Sequence, residues 1–74
     1  MALPSMNLET RTDIQEQIAK QRTGRIENFF GSRDLLPALN KDGTGWGRDH
    51  RVALALEAAN SRGDLDETLM AAVD

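Results

Sequence analysis

His50 is the only histidine of this 74-residue chain, and it stands beside Asp49 with Glu57 seven positions further on. An imidazole among carboxylates is the usual material of general acid–base chemistry. On a helix, however, positions seven apart are separated by about 10 Å of rise, too far for a direct hydrogen bond. The serines and threonines fall in no motif that would activate a hydroxyl. A chain of this length also leaves little room to enclose a substrate. These groups read as a solvated helix face, and the chain as non-enzymatic.

The stretch "NKDGTGWGRDHR", residues 40–51, invites a calcium reading instead. Laid on the EF-hand loop, Asn40, Asp42 and Thr44 take the first, third and fifth positions, and Gly45 takes the sharp turn. The ninth and twelfth positions then hold Arg48 and Arg51, where the pattern needs oxygen ligands and a bidentate acid. Two cations where anions belong end the match. "GTGWG" also lacks the lysine and Ser/Thr of a phosphate-binding loop, and no strand precedes it. With no cysteine and a single histidine, neither thiolate nor imidazole clusters can form. No metal and no cofactor is expected.

The same stretch carries Trp46, the single tryptophan, between Gly45 and Gly47. Two readings compete. The loop can fold back so that the indole caps a small core, its glycines allowing close approach. Or Trp46, flanked by Arg48 and Arg51, is a contact anchor on an adaptable loop, because tryptophan and arginine dominate the energetics of protein interfaces.

The elements that must position these residues are helical. "TDIQ" is a capping-box pattern that predicts a first helix from Thr12 to Gly31, with Gly31 as its C-terminal stop and Gly24 as a weak point. At 100° per residue, Ile14, Ile18, Ala19, Ile26, Phe29 and Phe30 share an arc of about 160°. Arg22 and Arg25 fall inside that arc. Either their stems cover the core while their heads reach water or an acid such as Glu57 or Asp66, or this face is an interface. Ser32 is expected to cap a second helix of a turn or two around Leu35, Leu36 and Leu39, with Pro37 late for a first turn. The Gly-rich loop follows. A third helix is predicted from residues 47–49 to Gly63, with Val52, Ala55, Leu56 and Ala59 inward and Leu54 and Ala58 on the opposite side. A fourth opens on Asp64 with Glu67 three residues later. Residues 1–10, with Pro4 and the apolar Leu3, Met6 and Leu8, read as an extended arm ahead of a single helical domain over residues 11–74. No β-branched alternation occurs. The expected fold is an all-α bundle of three to four short helices.

Composition limits the function further. Hydrophobic residues make up 39% and aromatic ones 4%, so the core is thin. Domains this small are marginal unless stapled, metal-bound or associated. Disulfides and metals being excluded, a partner or self-association remains. There is no apolar run long enough for a membrane span and no basic, then apolar, leader, which points to the cytoplasm. The net charge of −3 hides a gradient. Residues 17–51 carry seven basic and four acidic groups, whereas residues 52–74 carry one basic and five acidic groups.

That basic middle supports an alternative, a transcription-related nucleic-acid binder in which Trp46 stacks on a base. The connection before the third helix is longer than a helix-turn-helix turn, and that helix offers few groups able to read bases. The leading expectation is therefore a protein–protein interaction module: an accessory subunit, assembly component or inhibitor that binds a larger protein or its own copies. In size and composition it is similar to small accessory proteins, bacterial and phage-encoded ones included. The expected contact residues are Trp46, Arg48, Arg51, Phe29, Phe30, Arg22 and Arg25.

Overall fold

Asn7 opens the first helix: its Oδ1 accepts from the backbone N–H of Thr10 at 2.8 Å, satisfying one of the donors that a helix start leaves free. The computed structural model describes residues 7–73. Within them lie five helices and no strand: α1 (Leu8–Ala19), α2 (Thr23–Gly31), α3 (Leu36–Leu39), α4 (Arg48–Arg62) and α5 (Leu65–Val73). The all-α expectation holds, with one helix more than the sequence predicted.

Two boundaries differ from the expectation, and a third end is closed in a different way. Thr12 is no cap; it lies inside α1, and its hydroxyl donates to the Leu8 carbonyl at 2.9 Å. Leu8, Glu9 and Thr10 are therefore helical rather than part of an arm. Leu3 and Met6 lie outside the described residues.

The long first helix is in fact two. Its break falls at residues 20–22, where Arg22 turns extended, and Gly24 sits inside α2. The carbonyl of Gln21 freed by this break accepts from Arg48 Nη1 at 2.8 Å, so a distant side chain holds the turn. The break also shifts the helical phase. This is why Arg22 and Arg25, placed in the apolar arc by an unbroken helix, are exposed here.

Helix α2 ends at Gly31, as expected, but Gly31 is its last helical residue and not a left-handed cap. The backbone continues helically through it, Ser32 Oγ donates to the Phe29 carbonyl at 2.8 Å, and Asp34 takes the left-handed conformation at φ 61°. The Leu35 N–H then closes on the Phe30 carbonyl at 2.9 Å, as in a Schellman turn. Pro37, starting one residue into α3, fits the first turn after all. The other ends follow the sequence. Asp49 in the first turn and Arg62 in the last complement the α4 dipole, and Gly63 ends that helix at φ 90°.

Helix α4 is the central element, packed against each of the other four. Its Val52, Ala55, Leu56 and Ala59 are buried, as the periodicity predicts. Ile18 and Ala19 from α1, Ile26 and Phe30 from α2, Leu39 from α3 and Leu69 from α5 close around them. Burying a side chain such as Phe30, which is fully covered, contributes about 2–3 kcal/mol. Leu54 and Ala58 are half-buried, so the second apolar side of α4 is largely covered by the fold itself.

Candidate functional site

The loop over residues 40–47 turns at Gly43, whose φ of 98° a side chain would strain. It then delivers Trp46 just ahead of α4. Trp46 is 56% exposed, which excludes the core-capping reading. Nor do Gly45 and Gly47 admit a close approach, since a Cβ at either would meet nothing within 4 Å.

The exposed indole is nevertheless held. Its ring stacks on the imidazole of His50, with centroids 4.3 Å apart and planes inclined by 22°. His50 belongs to the first turn of α4, and its Nε2 lies 2.8 Å from Asp42 Oδ2 across the loop. Asp42, His50 and Trp46 thus form a chain of support that fixes a large apolar ring on the surface. His50 touches neither Asp49 nor Glu57 in the way that acid–base chemistry would need; its polar partner is Asp42. Among the described residues no group of three metal-binding side chains occurs.

The expected contact residues separate into four sets. Phe30 and Arg51 are interior. Phe30 is fully buried, edge-on to Phe29 at 5.1 Å and 74°. Arg51 is 4% exposed, and its Nη2 faces Asn40 Oδ1 and, at 3.4 Å, Glu27 Oε2. It ties α4 to α2 and to the end of α3, and a side chain so enclosed cannot reach a partner. Arg48 is exposed but engaged on the Gln21 carbonyl, where it braces the junction of α1 and α2.

Arg22, Arg25 and Trp46 remain on the surface. Neither Arg22 nor Arg25 pairs with Glu57 or Asp66; Asp66 instead accepts from Arg11, whose Nη2 lies 2.9 Å from Oδ1. Phe29 is half-buried and lines a groove of about 490 Å³ together with Arg25, Ile14, Ile18, Ile26 and Val73. Arg33 lies over its ring at 5.3 Å. The seven basic groups of the middle segment therefore do not act as one surface, since Arg51 is internal and Arg48 is occupied.

Two supporting residues were not among the expected contacts. The sequence offers His50 as an acid–base group and Asp42 as a calcium ligand, while their pairing bridges a loop that has no periodicity to read. The groove is not legible in the sequence either: Ile14, packed against the core, and Val73, exposed at the end of α5, come together only in the folded chain.

No protein-family model, curated protein or solved structure matches this chain.

Proposed function

We propose that this chain is a non-enzymatic protein-interaction module, an accessory subunit or inhibitor that acts in the cytoplasm, with Trp46 as the contact anchor. One observation carries the reading: a tryptophan more than half exposed lies stacked on a histidine. Exposing an indole to water is unfavourable, and an unconstrained loop would let it collapse onto nearby apolar surface. A ring held out by Asp42 and His50 is instead pre-organised, so a partner that covers it immobilises little that was free. Tryptophan, buried at the centre of a contact, is among the side chains whose removal costs binding most.

Capture of partners from cells that make the protein tests this. Wild type and Trp46→Ala serve as baits, with and without nuclease, and circular dichroism is recorded on both. The expected result is a defined protein retained by wild type, lost by a variant of unchanged helix content, and indifferent to nuclease. Capture that disappears with nuclease and falls steeply with salt would mean a nucleic-acid binder using Lys20, Arg22 and Arg25. A variant that unfolds would mean that Trp46 serves stability.

A further inference from the structure

The groove between α1, α2 and α5 lies apart from the Trp46 site and rests on different observations. Its floor and walls are apolar: Ile14 and Ile18 from α1, Ile26 and Phe29 from α2, Ala72 and Val73 from α5. Val73 remains 64% exposed at its lip. Gln17 of α1 and Gln21 just beyond it add polar amides to the lining, and two charged side chains join them, Asp13 from α1 and Arg25 from α2. Both are exposed, and among the described residues neither makes an ion pair or a hydrogen bond.

We propose that this groove is a self-association face, and that its occupant is a second copy of the same chain related by a two-fold axis. In such a contact residue i of one copy meets residue j of the other, and j meets i. A face bearing one free acid and one free base flanking an apolar strip satisfies that rule, because Asp13 of each copy finds Arg25 of the other. The exposed Val73 of each copy supplies an apolar side chain to cover the opposite strip. A foreign helix of one charge sign would leave either Asp13 or Arg25 facing a like charge. Pairing two copies also adds apolar burial, which domains of this size need most.

Sedimentation equilibrium of the full chain over a wide concentration range tests the proposal. Wild type is expected to approach twice the 8.2 kDa chain mass at the upper end. Arg25→Glu and Asp13→Lys, each placing like charges together, are each expected to weaken the dimer tenfold or more. The double variant Asp13→Lys with Arg25→Glu is expected to recover it. Both side chains are exposed and unpaired, so circular dichroism of all three variants should match wild type. Trp46→Ala should leave the dimer intact, which separates this inference from the proposed function.

A chain that stays monomeric throughout overturns the proposal, as does a dimer indifferent to both single variants. A dimer lost on Trp46→Ala alone would move self-association to the other site and overturn it too. So would single variants that weaken the dimer without rescue in the double variant.

Discussion

Trp46 lies over His50 at 4.3 Å between ring centroids, with their planes 22° apart, while the far nitrogen of that imidazole faces Asp42. The stack converts a glycine-flanked loop into a fixed surface feature. An aromatic pair of this kind contributes about 0.5–1.5 kcal/mol beyond its buried area. His50→Ala should therefore free the indole without unfolding the chain. Acrylamide quenching of Trp46 emission should rise and its anisotropy should fall, with little change in melting temperature. Partner affinity should weaken by up to about tenfold, the equivalent of that stacking energy. Unchanged quenching would mean that the loop alone holds Trp46.

Arg51 is the buried hub that joins three helices through Glu27 and Asn40. A lysine keeps the charge but not the forked guanidinium. Arg51→Lys is expected to lower stability by about 1–2 kcal/mol, in line with the loss of a charge-assisted hydrogen bond. Urea denaturation checks this. A variant as stable as wild type would show that the residue's aliphatic stem, rather than its guanidinium, is what α4 needs.

Thr68 is fully buried, and among the described residues its Oγ1 has no hydrogen-bond partner. A valine has nearly the same shape without the unsatisfied hydroxyl. Thr68→Val should raise stability by about 1 kcal/mol, the low end of the cost of leaving a buried polar group unpaired. The same denaturation curve reads it. A loss of stability would show that the hydroxyl bonds within the helix.

Two turns make opposite predictions from the same backbone conformation. Asp34 holds φ 61° with a side chain, and Gly63 holds φ 90° without one. Left-handed backbone costs a side-chain-bearing residue roughly 1–2 kcal/mol, less for Asp than for most. Asp34→Gly should be neutral to stabilising, whereas Gly63→Ala should destabilise by about 1–2 kcal/mol. Thermal melts of the pair give the comparison directly, and equal signs would contradict the turn assignment.

How far the sequence alone reached depends on whether the determining contacts are local. Helix α4 was legible because its inward residues repeat at helical spacing and Gly63 marks its end. The break at residues 20–22 was not, because it is held by Arg48 on the Gln21 carbonyl, a contact between residues 27 apart. Reading through that break placed Arg25 in the core arc and hid the groove that it lines. Trp46 was singled out by its setting, but its exposure depends on Asp42 and His50 meeting across an irregular loop. Arg51 looked like a surface arginine beside Trp46. It faces inward because, three residues into α4, it shares the helix face of Ala55 and Ala59.

The central claim is that Trp46 meets a protein partner, and site-directed photocrosslinking tests it most directly. Thr44 is exposed on the same loop, so Thr44→benzoylphenylalanine leaves the indole in place. Glu57, exposed on α4, is the control position. Irradiation of cells that make the protein should yield one defined protein adduct from position 44 and none from position 57, with the adduct absent once Trp46→Ala is added. No protein adduct at position 44, or one that persists without Trp46, would contradict the account.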